Sequence, residues 1–269
     1  MRWAIGLSVL VLVSTVARSQ DNGRGAKAIA LGNSFAAVAD DVWALAYNPA
    51  GLARQSGWEC AAFTVPQQFG LAELRTDAAA LLVPLLPFPL ACSFDRFGFD
   101  LFRQVTLRCA TALFLDRSTS VGITLNRIET IISRYGQKSA VTADVGLLSV
   151  PLAAVRFGCA FKNIGGATVV SGETFPQSIS LASELDILDA LSATVELEKD
   201  VRFPASVKFG IEQRLLASLA LRAGVATNPD KFSLGFAVGS SPVEFAYAAY
   251  SHPDLGWTQQ VEISFAVDK

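Results

Sequence analysis

The chain has 269 residues, 51% of them hydrophobic and only 17% charged, with a net charge of -2. That length supports one large domain or two small ones, and the near-neutral balance excludes the basic surface that a nucleic-acid binder needs. Cys60, Cys92, Cys109 and Cys159 lack the paired spacing of metal ligands, and with a single histidine no metal or other cofactor is expected.

Arg2 precedes an apolar run from Ala4 to Val13, and Ala17 and Ser19 supply small residues at the spacing of a cleavage site. Residues 1–19 therefore read as a secretory signal peptide, with the mature chain starting at Gln20. The absence of cysteine at that point argues against a lipoprotein. The alternative, a retained anchor, is disfavoured because the run is short for a spanning helix. Ala78 to Cys92 is also apolar, but Pro84, Pro87 and Pro89 break it. An exported chain without a stop helix goes to the periplasm, the outer membrane or the exterior.

Residues 20–56 show no alternation. Gly25 to Gly32 is small and apolar, and Phe35 to Ala39 and Val42 to Tyr47 read as short helical turns. Asp40 or Asp41 can cap the second turn by accepting free backbone N–H groups. Asn48-Pro49-Ala50-Gly51 ends it, since Pro cannot continue a helix and Gly tolerates the turn. A compact, low-charge segment ahead of a barrel can fold into its lumen.

From about residue 57 the chain alternates with period two. One parity reads Val105, Leu107, Cys109, Leu113; later Phe232, Leu234, Phe236, Val238; and last Val261, Ile263, Phe265, Val267. The other carries Arg108, Asp144, Glu184, Glu196, Lys208, Glu212, Arg222 and Glu262 among many small residues. Successive side chains of a strand face opposite sides, so each strand has an oily and a wet face. Fourteen strands are expected, near 57–65, 76–83, 90–95, 104–114, 118–128, 140–150, 152–162, 177–185, 190–199, 204–214, 216–226, 231–239, 242–250 and 258–267. Tight turns at Asp116-Arg117, Val150-Pro151, Leu215-Leu216 and 240–242 alternate with longer connections at 129–139, 163–176, 227–230 and 251–257. Short turns on one side and longer loops on the other mark a membrane barrel with an even number of strands, its apolar face toward lipid. Strands of about nine to eleven residues suit a tilted crossing. A soluble sandwich, with its oily face inward, is the competing architecture. Cys109 and Cys159 lie on the apolar parity and read as small hydrophobes rather than a disulfide framework. Small lumen-side residues (Gly210, Gly224, Gly235, Gly239, Ala237) leave room for an occupant, most simply a plug from the same chain.

The stretch Gly25-Ala26-Lys27-Ala28-Ile29-Ala30-Leu31-Gly32-Asn33-Ser34-Phe35 through Asp40-Asp41, followed by Asn48-Pro49-Ala50-Gly51-Leu52-Ala53, resembles the opening of the PorV/PorQ group of FadL-related outer-membrane barrels. Asp144-Val145-Gly146-Leu147-Leu148, Phe161-Lys162-Asn163-Ile164-Gly165 and Glu244-Phe245-Ala246-Tyr247 extend the resemblance over most of the mature chain. It implies an all-β, transmembrane antiparallel barrel of fourteen strands over residues 57–269. It also implies an N-terminal hatch over residues 20–56, with Asp40, Asp41, Asn48, Pro49, Ala50 and Gly51 as the hatch motif. PorV relatives act in type IX secretion, so the resemblance implies a partner in protein export or surface assembly. FadL relatives imply the alternative, a channel for hydrophobic small molecules, with Phe35, Trp43 and Tyr47 as ligand contacts. A purely structural envelope barrel is the third reading. The implied partners are outer-membrane lipid, other envelope or secretion proteins and a hydrophobic small molecule. The chain departs from the pattern in following Phe265 with Ala266-Val267-Asp268-Lys269, and its outer loops are short for a dedicated receptor.

No catalytic set is expected. His252 sits in Ser251-His252-Pro253-Asp254, and adjacent loop residues do not converge as a triad must. Gly23-Arg24-Gly25-Ala26-Lys27-Ala28 mimics a dinucleotide fingerprint, but no strand precedes it.

Overall fold

The computed structural model describes residues 23–85, 87–166 and 175–267. The expected signal peptide, residues 268–269 and most of the 163–176 loop lie outside the described residues. Two short helices, α1 (Ala26–Ala30) and α2 (Ala44–Tyr47), and a 3-10 turn over Pro49–Arg54 come first. Then come β1 (Trp58–Val65), β2 (Thr76–Val83), β3 (Leu90–Gly98), β4 (Phe102–Phe114), β5 (Thr119–Ile132), β6 (Gly136–Leu152) and β7 (Val155–Lys162). After them follow β8 (Ser178–Leu188), β9 (Leu191–Asp200), β10 (Ser206–Leu216), β11 (Leu219–Ala226), β12 (Lys231–Ser240), β13 (Val243–His252) and β14 (Gly256–Val267).

Each strand pairs antiparallel with its sequence neighbours, and β1 pairs with β14 from Trp58↔Val267 to Thr64↔Val261, closing the barrel. No described helix is long and apolar enough to cross a membrane. A bilayer offers no hydrogen bonds to an open sheet edge, and closure removes the edge.

The alternation points as expected. Leu234 is 45% exposed and its neighbour Ser233 2%. Phe232, Leu221 and Ile263 lie on the exposed outer face, while Arg222, Lys208, Glu212 and Glu262 are buried within. A soluble sandwich would reverse this. On β1 and β2 the inner face is apolar instead: Ala61, Phe63, Val65, Ala78, Ala80 and Leu82 are all buried. Apart from Glu59 and Asp77, both parities there are apolar or small, so alternation carries little information.

Several connections differ from expectation. The 129–139 loop is largely strand: Glu129↔Ser139 through Ile132↔Gly136 zip up, leaving 133–135 as the turn, and Gly136 adopts φ 101. Pro151 does not make the turn expected at Val150-Pro151; β6 continues to Leu152 across a register shift between Ser149 and Leu152. Proline cannot donate to the ladder, so it sits where pairing is interrupted. The Leu215-Leu216 turn likewise moves to 217–218, past a shift between Arg214 and Leu216. At the end away from the start of β1 and the finish of β14, 99–101, 133–135 and 253–255 are nearly as tight as the turns at the other end, so loop lengths sort less cleanly than expected.

Replacing Leu234 by Arg puts a charge against lipid and is expected to cost about 2–4 kcal/mol near the midplane, whereas Leu234→Phe should be nearly neutral. Urea unfolding in lipid vesicles measures both; equal effects would contradict the assigned outer face.

Candidate functional site

The candidate site is the lumen, occupied by residues 23–56. The small residues of α1 allow backbone-close packing against β11–β13. The wall opposite provides glycines: a Cβ on Gly235 would lie 2.5 Å from the Ala30 Cβ, and one on Gly224 would lie 2.2 Å from the Gly32 nitrogen. The contact recurs on the other side of the bore. A Cβ on Gly146 would sit 2.0 Å from Asn48 Oδ1, and one on Gly158 2.0 Å from the Ala36 carbonyl oxygen. Gly210, Gly224 and Gly235 thus leave room for this segment, but Gly239 faces its own neighbour strand instead.

Wall side chains satisfy the backbone of the interior segment. Glu196 Oε2 accepts from the Phe35 and Ala36 amides, each at 3.0 Å, and Lys208 Nζ bridges Glu196 (3.1 Å) and Glu198 (2.5 Å). Glu262 accepts the Ala26 amide at 2.6 Å and Trp43 Nε1 at 3.0 Å, so one carboxylate ties the start of α1 to the indole. Ser120 Oγ donates to the Ala50 carbonyl at 2.9 Å and Thr124 Oγ1 to the Leu45 carbonyl at 2.8 Å. Buried backbone groups left unpaired are costly, so these partners hold the segment in one position.

The motif residues take distinct parts. Asn48 Nδ2 donates to the Ala36 carbonyl at 2.6 Å and to the Leu147 carbonyl of β6 at 3.0 Å, while its Oδ1 accepts the Ala50 amide at 3.2 Å. Pro49 opens the 3-10 turn, where a missing N–H costs nothing. Gly51 passes so close to Ala39 that a Cβ would lie 2.0 Å from its carbonyl oxygen. Asp41, rather than Asp40, accepts the Trp43 amide at 2.8 Å just ahead of α2. Asp40 instead pairs with Lys27 at 2.6 Å. Lys27 also faces Glu212 at 3.6 Å, and Arg222 and Arg214 meet the same Glu212 at 2.7 and 3.0 Å. Arg24 and Arg108 share Asp95, each at 2.5 Å. Burial works against the charge on Lys27, but Asp40 and Glu212 outweigh it and hold its pKa above the ordinary value. Burial, with Glu59, Asp40 and Glu262 nearby, pushes the Asp41 carboxyl well above its ordinary 3.8.

The three aromatic residues do not converge. Phe35 and Tyr47 pack edge to face at 5.2 Å, with the Tyr47 hydroxyl accepting the Arg24 amide at 2.7 Å. Trp43 lies in a different cluster, 4.9 Å from the Phe63 ring of β1. That cluster joins Val42, Trp43, Leu45 and Leu52 to the apolar inner wall of β1–β4. The lumen thus has an apolar sector, formed by β1, β2 and the Ala91, Ala110 and Ala112 part of β3 and β4, which borders the Arg24–Asp95–Arg108 cluster, and an ionic sector at β8–β12. A separate polar cavity of about 430 Å³ opens at the short-turn end, lined by Arg156, Glu184, Asp186, Glu212 and Arg214. The sequence does not single out that cavity, nor Glu196 and Glu262 as anchors of the interior segment; parity places both carboxylates in the bore, where cross-strand pairing of Glu196, Lys208, Glu212 and Arg222 is the expectation, and Lys208–Glu196 and Arg222–Glu212 do pair. Ser251 and His252, expected in a loop, end β13; His252 stacks edgewise on Phe69 at 5.5 Å and accepts the Asp254 amide, while Ser251 Oγ bonds the Phe232 backbone, so the two face different partners.

No protein family matches the sequence, and no curated protein does. Solved structures similar to it include the toluene transporter TbuX of Ralstonia pickettii (TM-score 0.67, 13% identity, 91% of this chain and 97% of that chain). The CymD monoaromatic hydrocarbon channel is similar as well (TM-score 0.67, 15% identity, 91% and 97%), and so is a FadL homologue of Pseudomonas aeruginosa (TM-score 0.65, 11% identity, 91% and 98%). At such identities the likeness shows the fold, that of the FadL-like outer-membrane barrels.

Two variants probe the interior packing. Gly146→Ala should displace Asn48, so that the Phe35 and Ala36 amides lose protection in hydrogen exchange; Gly165→Ala, with open space at its Cβ, should not. For Asp41 the folded pKa lies above the unfolded one, so the native state holds the extra proton and stability falls as pH rises between the two. Asp41→Asn keeps the acceptor for the Trp43 amide and should flatten that decline, seen as exchange protection that no longer drops from acidic to neutral pH.

Proposed function

We propose that this protein is an outer-membrane channel for a hydrophobic small molecule, with residues 20–56 as its hatch. The observation that carries the reading is the apolar tract of the inner wall, on β1, β2 and the Ala91, Ala110 and Ala112 part of β3 and β4, covered by Val42, Trp43, Leu45 and Leu52. Side chains that line an aqueous pore have no reason to be apolar, whereas an apolar solute loses nothing by replacing hatch side chains on such a wall. Movement of the hatch uncovers that tract, and Trp43, at its centre, is the contact residue favoured over the Phe35–Tyr47 pair. The Asn48-Pro49-Ala50-Gly51 element acts as the latch, bonded to β6 on one side and to Ala36 on the other.

The likeness to a toluene transporter and a monoaromatic hydrocarbon channel supports this reading over a PorV/PorQ-type role in protein export. Envelope proteins that co-purify stoichiometrically from native membranes would favour the export role, and a lone, non-transporting barrel the structural one.

The test is uptake of radiolabelled toluene by cells whose outer membrane carries the protein. Uptake should exceed that of cells with vector alone. Asn48→Cys combined with Gly146→Cys should lock the hatch to β6, bringing uptake down to the vector level until a reductant restores it. Unchanged uptake in the oxidised double variant would remove the moving hatch from the mechanism, and no uptake by the wild type would remove the channel.

A further inference from the structure

We propose that Cys92 and Cys109 are joined by a disulfide that staples β3 to β4 on the lipid-facing side of the barrel. The inference is independent of what passes through the lumen. Cys92 and Cys109 are direct cross-strand partners, on a hairpin closed by the short 99–101 connection. Both lie on the outward parity: Ala91 and Ser93 flank Cys92 on the buried face, as Arg108 and Ala110 flank Cys109.

The ladder fixes the spacing of the pair. The Phe99 amide donates to the Phe102 carbonyl, while the Gly98 amide turns the other way, to Arg75 beside β2. Counting back in the unbroken register, Cys92↔Cys109 falls at a non-hydrogen-bonded site, where opposed Cα atoms approach to about 4.5 Å and side chains are closest. That is within the span a disulfide needs, about 4.4–6.8 Å between Cα atoms. The two sulfurs lie 2.8 Å apart. The remaining cysteines have no such partner: Cys60 opposes Phe265 and Leu81, and Cys159 opposes Leu147 and Leu181.

Two S–H bonds break and one S–S bond forms; two protons leave, and two electrons pass to the disulfide of an envelope dithiol–disulfide exchange protein, which becomes a dithiol. Thiolate attack is disfavoured in an apolar environment, so the exchange takes place while the β3–β4 hairpin is still in the aqueous periplasm. Lipid then shields the bond from water-soluble reductants.

The full chain, in the outer membrane of cells, is quenched in acid, denatured and labelled with a maleimide-polyethylene glycol that shifts the gel band once per free thiol. Two adducts are expected on the unreduced chain and four after reduction, from the four cysteines present. Cys109→Ser should give three adducts with or without reductant. Four adducts on the unreduced wild type would overturn the proposal, and that count stands even if the variant fails to assemble. Expression in a strain without the envelope's dithiol oxidase should raise the unreduced count to four; a count that stays at two would overturn the assigned electron acceptor.

Discussion

Closure of β1 on β14 is the constraint from which the other features follow. In lipid an unpaired amide has no alternative partner, so fourteen strands must return to the first, and Trp58 must meet Val267. Once the sheet is closed, each strand has one side against hydrocarbon and one in the bore. The alternation of Phe232, Leu234, Phe236 and Val238 with Ser233, Gly235 and Ala237 is the chemical answer to that division.

A bore of this width cannot be filled by wall side chains alone. Residues 23–56 fill it, and the way they are held shows why a low-charge, glycine- and alanine-rich segment suits the task. Short irregular helices leave many backbone amides without partners, and the wall provides carboxylates for them. Glu196 receives Phe35 and Ala36; Glu262 receives Ala26 and the Trp43 indole. Where no charge is needed the wall withdraws to glycine, at Gly146, Gly158 and Gly224, so that backbone packs on backbone.

The two sectors of the lumen assign different work to opposite walls. The ionic sector pairs its charges with one another and with Lys27, through Glu212, Arg222 and Arg214, and thereby fixes position. The apolar sector meets the interior segment through the side chains of Val42, Trp43, Leu45 and Leu52, with hydrogen bonds only at its margin, from the Trp43 indole to Glu262 and from Thr124 to the Leu45 carbonyl.

Alternation with period two is a local property, so the number of strands, their faces and the inward place of Glu196, Lys208 and Glu262 could be read from the sequence by itself. It placed β1 and β2 without assigning their faces, since apart from Glu59 and Asp77 both parities there are apolar or small, and it missed the ladder at Pro151 and 129–139, where a turn-forming residue or a polar run was absorbed by longer strands. Which residues meet was decided only in the tertiary structure. Glu196 lies 160 positions from Ala36, and Glu262 lies 219 from Trp43. The apposition of Cys92 with Cys109 depends on register, which no single strand encodes. Parity is set locally by the extended, pleated backbone, whereas register and interior contacts are set by closing the whole ring at once, and for that reason the faces were legible in the chain and the contacts of the interior segment were not.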